Sequence, residues 1–295
     1  MKILTIIPLY NAVKWIDKCI NSALNSSLQS EIFTIDNGSH DETGKYLKEN
    51  YSHYKNIHIH YVKDNVGFGG ANNIGFKYAI EHNYDYVYLL SADAQLLPDT
   101  LKKMVAAHMT NSEYGILSPM QMQANMKEYD VNFKEIINGL SLDQQIVDVK
   151  EVMAAHWLIS RDCLLKTGGF SPSFPLYGED NDYEQRARYF SFKIGIVTTA
   201  FGIHDRADRP FSLKHEIYML DVRNRGILSN IAEPVRFRII RTLIKTLNGC
   251  RRFKTLKPIS NWIDLMRNRK TLIENRKRSM KPLAFIDLED EKPYS

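Results

Sequence analysis

Four carboxylates crowd into six positions of the stretch GEDNDYEQRAR: Glu179, Asp180, Asp182 and Glu184. The pattern predicts the start of a helix, where the positive end of the helix dipole would keep Glu179 and Asp180 ionised. Ionised carboxylates held beside a substrate can remove a proton. The same residues on a free surface would form an ordinary solvated first turn, and the residue types alone leave both interpretations open.

Three further polar residues each follow a predicted strand: Asp36, Asp93 and His204. In an open α/β sheet, ligands bind at the carboxyl ends of the strands, so these residues are expected to meet in one crevice. Asp36 could bind a nucleobase or a ribose hydroxyl, or form an Asx turn. Asp93 and His204 could offer one oxygen and one nitrogen to a divalent ion. The alternatives are a helix cap for Asp93 and a structural role for His204.

The elements that must position these residues alternate between strands and helices, which predicts an α/β fold with a mostly parallel sheet. Strands are predicted at 3–8, 32–35, 57–62, 86–90, 114–118, 152–159 and 193–198. Helices are predicted between them at 13–28, 41–50, 70–82 and from Pro98. Residues 121–150 show little pattern and indicate a long excursion from the core, whereas the chain after residue 212 is expected to be helical to its end.

Glycines are concentrated in NVGFGGANNIGF, residues 65–76, between a predicted strand and a predicted helix. Closely spaced glycines let backbone N–H groups approach a phosphate at a helix N-terminus. A tight turn that needs a positive φ is the alternative. The order of the glycines fits neither the dinucleotide-binding fingerprint nor a P-loop.

Positive charge is concentrated in the C-terminal part of the chain. Residues 231–281 contain fifteen Lys and Arg and three acids, a net charge of +12, whereas residues 1–230 carry −4. Five apolar residues recur there at helical spacing between basic ones: Phe237, Ile240, Leu243, Ile244 and Leu247. Such a helix can lie on an anionic membrane, or its apolar stripe can pack on the rest of the protein. The acidic sheet portion and the absence of a nucleic-acid-binding motif argue against nucleic acid as a partner.

The cysteines and the apolar segments indicate the compartment. Cys19, Cys163 and Cys250 are scattered without metal-ligand spacing, which fits a reducing environment. The N-terminus runs directly into an apolar strand without a cleavage site, and no stretch approaches the roughly 18 apolar residues of a membrane span. We therefore expect a cytoplasmic protein, which the basic helix could bring to the inner face of the membrane.

Five blocks, in this order, resemble the family 2 glycosyltransferases, which are inverting enzymes with the GT-A fold. PLYN resembles P-x-Y-N, and IDNGSHDET resembles V-D-N-x-S-x-D-x-T. NVGFGGANNIGF is similar to N-x-G-F-x-x-x-N-N-x-G, and LLSADA stands where relatives have L-L-N-P-D. GGFSPSFPLYGEDNDYEQRAR resembles G-G-F-x-x-x-F-F-x-Y-x-E-D-x-D-L-x-x-R. The resemblance covers Lys2 to about Asp205 and is strongest to the bacterial rhamnosyltransferase-like branch, whose members build surface polysaccharides.

The resemblance implies a Rossmann-like nucleotide-diphospho-sugar transferase fold, a mixed and mostly parallel sheet flanked by helices, with a helical C-terminal appendage. The catalytic domain would span residues 1–212, with a nucleotide-sugar half at 1–118 and an acceptor and base half at 119–212. A helical, basic region would follow at 213–295, and its residues 233–281 would make any peripheral membrane contact.

The resemblance also assigns roles to single residues. Asp180 would be the catalytic base, and Asp93 and His204 would hold Mn²⁺ or Mg²⁺. Glu179, Asp182 and Arg186 would orient the base or the sugars. Trp157 would form a wall of the acceptor site or be an ordinary core tryptophan. The residues expected to bind the nucleotide sugar are Pro8, Tyr10, Asn11, Asp36, Asn65, Gly67, Asn72, Ser91 and Asp93.

The implied reaction is direct displacement of a nucleoside diphosphate from a UDP-, dTDP- or GDP-linked sugar by a saccharide or a lipid-linked saccharide. The chain departs from the family at Ser91, which occupies the first position of the D-x-D metal motif, and at Ala92, which replaces a proline. It also lacks the Q-x-x-R-W motif of processive synthases, which favours transfer of one sugar at a time. The alternatives are a catalytically silent sugar-nucleotide binder and a nucleotidyltransferase, although PLYN lacks the glycine-rich basic loop that a nucleotidyltransferase would need.

Overall fold

A computed structural model of the chain describes residues 1–206, 212–230 and 233–288. The described residues form nine strands: β1 (Ile3–Leu9), β2 (Glu31–Asn37), β3 (Ile57–Val62), β4 (Tyr86–Leu90), β5 (Ala94–Leu96), β6 (Tyr114–Met122), β7 (Ile146–Asp148), β8 (His156–Ser160) and β9 (Lys193–His204). They also form eleven helices: α1 (Ile16–Leu24), α2 (Thr43–Tyr51), α3 (Gly67–Glu81), α4 (Thr100–Thr110), α5 (Val131–Ile137), α6 (Arg161–Thr167), α7 (Glu179–Tyr189), α8 (Leu213–Ser229), α9 (Val235–Phe253), α10 (Lys257–Arg267) and α11 (Arg269–Ser279).

The strands form one mixed sheet in the order β3-β2-β1-β4-β8-β6-β9-β5, with β7 paired to β9. Strands β3, β2, β1 and β4 run parallel, as the alternation of strands and helices predicts. Strand β8 is antiparallel to both of its neighbours, and β6 and β9 are parallel to each other. The predicted mixed, mostly parallel α/β sheet with flanking helices is confirmed.

Apolar side chains cover both faces of the sheet. Along β1, Ile3 and Ile7 point into one buried cluster, whereas Leu4 and Ile6 point into the other. This alternation follows from the two-residue period of a strand, and helices on both faces complete the burial. A central strand of this kind reads as a continuous apolar run, which is why β1 was predictable.

The segment between β6 and β8 is more ordered than its sequence pattern indicates. Strand β6 continues to Met122, and the short helix α5 and the short strand β7 lie within the expected excursion. The unpredicted helix α6 follows β8 directly, capped by the Ser160 hydroxyl, which accepts a hydrogen bond from the Cys163 N–H. These elements are short, so their stability comes from packing rather than from a long periodic pattern.

Helices α8 to α11 pack against one another and against the loop that precedes α7. The Tyr218 hydroxyl donates to the Leu176 carbonyl at 2.6 Å, and the Asn275 amide donates to the Ser173 hydroxyl at 3.0 Å. After α11 the chain turns back, and the Gly169 N–H donates to the Ala284 carbonyl at 2.7 Å. Residues 282–288 are therefore not helical as expected, and the expected helix beyond residue 288 lies outside the described residues.

Helix α9 buries several polar side chains, whereas five of its apolar side chains face outward. Thr242 and Thr246 are fully buried, and their hydroxyls accept hydrogen bonds from Trp262 Nε1 and Asn224 Nδ2, both at 3.0 Å. The five apolar residues at helical spacing are between 37% and 55% exposed: Phe237, Ile240, Leu243, Ile244 and Leu247. The alternative in which this stripe packs on the rest of the protein is therefore wrong for the described residues.

Candidate active site

The candidate site lies at the carboxyl ends of the parallel strands. Leu9 at the end of β1 pairs with Asp36 at the end of β2. On the other side of β1, Ile6 pairs with Leu89, so Ser91 and Asp93 lie just beyond the same edge of the sheet. This is the edge at which open α/β sheets bind their ligands.

The pairing of β5 with β9 brings His204 to Asp93. Ala94 pairs with His204, and the His204 Nε2 atom lies 3.7 Å from an Asp93 carboxylate oxygen. Burial lowers the pKa of His204, although the Asp93 carboxylate acts in the opposite direction, so the imidazole keeps a lone pair at neutral pH.

A divalent ion fits between these two side chains. Metal–oxygen and metal–nitrogen bonds of about 2.0–2.2 Å can span a 3.7 Å separation at one ion, with positions left for phosphate oxygens and water. In the part of the chain that the structure describes, no three His, Cys, Asp or Glu residues gather as a metal site. Asp93 and His204 would supply one oxygen and one nitrogen, and oxygen atoms of substrate and solvent would complete the ligand set.

Asp130 also contacts His204, and no sequence pattern predicted this contact. Its carboxylate is 1% exposed and lies 3.5 Å from His204 Nδ1 and 2.9 Å from Arg206 Nε. The other oxygen of the carboxylate caps α5 by accepting from the N–H groups of Asn132 and Phe133. An Asp before a short amphipathic run is a weak sign of a helix cap, and nothing in it points to a distant histidine.

Asp180 is held at the same edge by the segment that precedes β8. The Ala154 N–H donates to the Asp180 carboxylate, and the next residue, Ala155, accepts a hydrogen bond from the Ser91 N–H at 3.0 Å. Because β8 is antiparallel to β4, the start of β8 lies beside the end of β4. The predicted convergence of Asp36, Asp93, Asp180 and His204 is therefore compatible with the strand registers and these contacts.

The carboxyls of Glu179 and Asp180 at the start of α7 both have raised pKa values. Burial raises the pKa of Glu179 to about 8, with the Asp180 charge adding to the effect. Burial also raises the pKa of Asp180, against the hydrogen bonds from the Asn181 and Ala154 N–H groups. The prediction that the helix dipole keeps Glu179 ionised is wrong, because the carboxyl is 7% exposed and its Oε2 atom has no hydrogen-bond partner among the described residues.

Asp182 and Arg186 form a buried pair beneath the site. The Arg186 Nε atom lies 2.9 Å from Asp182, and its two terminal nitrogens donate to the carbonyls of Thr167 and Gly169 at 2.8 and 2.7 Å. Every nitrogen of the guanidinium is thus used within the protein. The pair fixes α7 to the Gly168-Gly169 turn, so a direct contact of the Arg186 guanidinium with sugars is not supported.

Trp157 belongs to the core. Its side chain is fully buried on β8, donates from Nε1 to the Val152 carbonyl at 3.1 Å and lies close to the rings of Phe170 and Tyr183. The suggestion that it forms a wall of the acceptor site is wrong. The other interpretation, an ordinary core tryptophan, describes its surroundings.

Hydrogen bonds join the loop that follows β1 to the loop that follows β2. The Asn11 N–H donates to the Ser39 hydroxyl at 3.0 Å, and the Asn11 side-chain oxygen accepts from the His40 N–H at 2.8 Å. Tyr10 is 44% exposed beside the His40 ring, and Pro8 is half-buried in β1. These loops leave the Tyr10 ring open to a ligand, and the predicted contacts of Pro8, Tyr10 and Asn11 with a nucleotide stay predictions.

The Asp36 side chain stabilises a turn, which agrees with the Asx turn given as the alternative to a ligand contact. Its carboxylate accepts from the Ser39 N–H at 3.1 Å and is 7% exposed. A Cβ atom on Gly44 would come within 2.4 Å of the other carboxylate oxygen, so only glycine fits beside it. A ligand contact of Asp36 is not excluded by this turn and stays a prediction.

The glycine-rich block packs against the segment that precedes α7, and the Gly67 N–H is used within the protein. Asn65 Oδ1 accepts from the Gly67 N–H at 2.8 Å and from Asn37 Nδ2 at 3.1 Å. A Cβ on Gly67 would lie 2.6 Å from the Pro175 carbonyl oxygen, and one on Gly69 would lie 2.8 Å from the Phe170 Cβ. The Gly67 N–H is therefore already used, and the positive φ of Gly67 agrees with the tight-turn alternative, whereas a phosphate contact of the other glycines stays a prediction.

The two adjacent asparagines of the block, Asn72 and Asn73, also make contacts within the protein. Asn72 is fully buried and donates to the Phe68 carbonyl at 2.9 Å, so its predicted contact with a nucleotide is wrong for this conformation. Asn73 forms two hydrogen bonds with the backbone of Phe170, at 3.0 and 2.6 Å. No sequence pattern distinguishes the role of Asn72 from that of Asn73. In the structure it is Asn73 that links α3 to the loop before α7.

Comparison with known families decides the identity of the chain. Residues 5–155 match the family model described as Glycosyl transferase family 2, which is more than half of the 295 residues. The chain belongs to glycosyl transferase family 2. The resemblance that the five sequence blocks carry is thereby confirmed, whereas the rhamnosyltransferase-like branch stays a prediction.

Relatives of this glycosyltransferase include the low-salt glycan biosynthesis hexosyltransferase Agl10 of Haloferax volcanii, 28% identical over 218 residues. That match covers 68% of this chain and 67% of the relative. The undecaprenyl-phosphate mannosyltransferase of Micrococcus luteus is 27% identical over 107 residues, which cover 36% of this chain and 44% of the relative.

Among solved structures, Staphylococcus aureus TarS 1–349 in complex with UDP-GlcNAc superposes on this glycosyltransferase with a TM-score of 0.62. The superposition covers 95% of this chain and 84% of TarS 1–349 at 16% identity, which supports the shared GT-A fold alone. None of the described helices of the glycosyltransferase is long and apolar enough to span a membrane.

Proposed function

We propose that this glycosyltransferase moves one sugar at a time from a nucleotide-diphospho-sugar to a lipid-linked saccharide, with inversion, in the synthesis of a surface polysaccharide. The proposal is supported by the strand registers, which are compatible with a common edge for Asp180, Asp93 and His204, residues that are distant in sequence. The relatives support the class of substrates, because the names of two of them specify a hexosyltransferase of glycan biosynthesis and a mannosyltransferase acting on undecaprenyl phosphate.

Asp180 is the proposed base that removes the proton of the attacking acceptor hydroxyl. The two N–H groups that donate to its carboxylate restrict its rotation, and its raised pKa makes it a stronger base than a free aspartate. Asp93 and His204 are the residues that would hold Mn²⁺ or Mg²⁺. A divalent ion bound there supplies positive charge that offsets the charge on the departing diphosphate.

Glu179 has a different role from Asp180. With a pKa of about 8, its carboxyl is mostly protonated at neutral pH and can donate a hydrogen bond to a sugar oxygen. Two neighbouring carboxyls in different surroundings can serve as donor and base in one site. We therefore assign positioning of a sugar hydroxyl to Glu179 and proton removal to Asp180.

A lipid-linked acceptor is favoured by α9. Four of its apolar side chains are at least half exposed: Phe237, Ile240, Ile244 and Leu247. Exposing the apolar side chains of α9 to water costs free energy. Binding of this helix to a membrane surface would remove that cost. The basic residues of α9 would add attraction to anionic lipids.

The test of the proposed function is Asp180→Asn, assayed by release of nucleotide from a panel of UDP-, dTDP- and GDP-linked sugars. The donor that raises the melting temperature of the wild type in the presence of Mn²⁺ is the one to use. Turnover should fall by at least about 100-fold while that thermal shift is retained. Asp162→Asn, which removes an exposed carboxylate from the first turn of α6, is the matched control and should keep wild-type turnover. Near-normal turnover of Asp180→Asn would remove Asp180 from its role.

A further inference from the structure

A cavity of about 410 Å³ lies where α7 meets helices α8 and α9. Its walls include Asn181 on α7, Gly226 on α8 and Lys245 on α9. The volume falls within the range of about 300–1,000 Å³ that is typical of small-molecule sites. The cavity therefore has room for a charged headgroup of a substrate.

Three cations around the cavity lack an anionic partner. Lys150, Arg223 and Lys245 all line it, each from a different element of the fold. Among residues 1–206, 212–230 and 233–288, none of the three lies within ion-pair distance of a carboxylate. Cations that converge on a cavity without carboxylates to neutralise them are suited to binding a phosphate.

The acidic side chains that line the cavity already have partners within the protein. Asp182 is paired with Arg186 at 2.9 Å, and Glu233 is paired with Arg241 at 2.6 Å. Glu151 accepts a hydrogen bond from the Asn181 amide at 3.0 Å. The charge left for a ligand is thus the positive charge of the three unpaired cations, reduced by the single carboxylate of Glu151.

The cavity begins next to the proposed base and ends at the exposed apolar stripe. Asn181 follows Asp180 directly, and the Glu151 carboxylate is close enough to add to the raised pKa of Asp180. At the other end, Lys245 lies beside Ile244, which belongs to the outward stripe of α9. The nucleotide-sugar edge of the sheet is formed by other residues, those that follow β1, β2 and β4.

We propose that this cavity is the acceptor subsite and binds a phosphate or diphosphate group carried by the acceptor. The inference rests on the proposed function, because it names the chemistry of the acceptor for the same reaction. The phosphate would contact Lys150, Arg223 and Lys245, which holds the first sugar of the acceptor toward Asp180. A lipid attached to the phosphate would leave past α9, where the apolar side chains are exposed.

The probe is inorganic pyrophosphate, and its binding to the full chain is measured by titration calorimetry. EDTA removes any metal that would bind the pyrophosphate, and a saturating concentration of nucleotide fills the donor site. One equivalent should bind, and Arg223→Gln/Lys245→Gln should weaken the binding at least about fivefold. Lys270→Gln/Lys277→Gln on α11 removes the same charge from exposed positions outside the cavity lining and should leave the affinity unchanged.

Gly226 allows the cavity to be filled without removing a charge. A Cβ atom at this position meets no other atom within 4 Å, so Gly226→Leu should fold and occupy the cavity. Gly226→Leu should lose pyrophosphate binding, whereas Gly226→Ala should retain it. A retained affinity in Gly226→Leu, or competition between pyrophosphate and the nucleotide, would overturn the proposal.

Farnesyl diphosphate distinguishes the two sources of the phosphate. Binding at least about tenfold tighter than that of pyrophosphate would assign a lipid-linked acceptor, because buried hydrocarbon adds affinity. Equal affinities would assign a phosphate-containing saccharide without a lipid. If no nucleotide sugar binds the wild type, the proposed function fails; if nucleotide binds and pyrophosphate does not, only the acceptor subsite fails.

Discussion

The Nδ1 atom of His204 lies 3.5 Å from the buried carboxylate of Asp130, on the opposite side of the ring from Asp93. Two groups compete for Nδ1: the Asp130 carboxylate favours a proton on it, which leaves the Nε2 lone pair for a metal, whereas the Arg206 terminal nitrogen, 3.4 Å away, can only donate to it. Arg206 shares the Asp130 carboxylate at 2.9 Å. Asp130 thus connects the segment between β6 and β8 with the proposed metal site.

Asp130→Asn tests this connection. Asn caps a helix about as well as Asp, so α5 should persist, and the lost pair with the partly exposed Arg206 should lower the melting temperature only moderately. The neutral amide no longer favours the required tautomer, and the affinity for Mn²⁺ should fall about tenfold or more. Electron paramagnetic resonance of free Mn²⁺ measures this affinity without an activity assay. Unchanged Mn²⁺ affinity would limit Asp130 to its role as a helix cap.

Glu179→Gln should stabilise the protein in a pH-dependent way. The pKa of Glu179 is about 8 in the folded protein and near 4.5 in the unfolded chain. Below about pH 4 the Glu179 carboxyl is protonated in both the folded and the unfolded protein. Between pH 4.5 and 8 it stays protonated mainly in the folded protein, so the free energy of unfolding of the wild type falls as the pH rises. The gain in melting temperature of Glu179→Gln over wild type should therefore be larger at pH 8 than at pH 5. An equal gain at both values would contradict the raised pKa.

The sequence predicts the parallel half of the sheet well, for a physical reason. Strands β3 and β4 begin and end where the sequence pattern places them, at residues 57–62 and 86–90. A strand covered on both faces, such as β4, is apolar along its length, whereas a strand at the end of the sheet, such as β3, alternates, and both patterns are visible in the chain itself. The position of Asp93 beyond such a strand was predictable for the same reason.

Contacts between distant parts of the chain were not predictable from local pattern. Asp130 reaches His204 from a short helix in a weakly patterned segment, and Gly69 is small because Phe170 packs against it. The same glycine spacing would suit a phosphate or a neighbouring side chain, so only the fold decides between them. Burial likewise decides the protonation of Glu179, and a helix-start pattern does not reveal burial.

Arg186→Met should destabilise the protein, because it leaves the buried Asp182 carboxylate without its cation. Removing one partner of a buried pair costs about 3–5 kcal/mol, measured here as the change in the free energy of unfolding in urea. The double variant Arg186→Met/Asp182→Met should recover part of that loss, since no unpaired charge stays buried. A loss of turnover with unchanged unfolding would instead support a contact of Arg186 with the sugars.

Ile240→Ser/Ile244→Ser tests the exposed stripe of α9. The two side chains are 55% and 53% exposed, so their replacement should leave the melting temperature nearly unchanged. Partition onto phosphatidylglycerol vesicles in a flotation assay should fall at least about tenfold, because two apolar side chains no longer leave water at the membrane. Met109→Ser/Leu140→Ser removes exposed apolar side chains from the catalytic part of the chain and should float as the wild type does. Equal flotation of all three proteins would exclude α9 as the membrane contact.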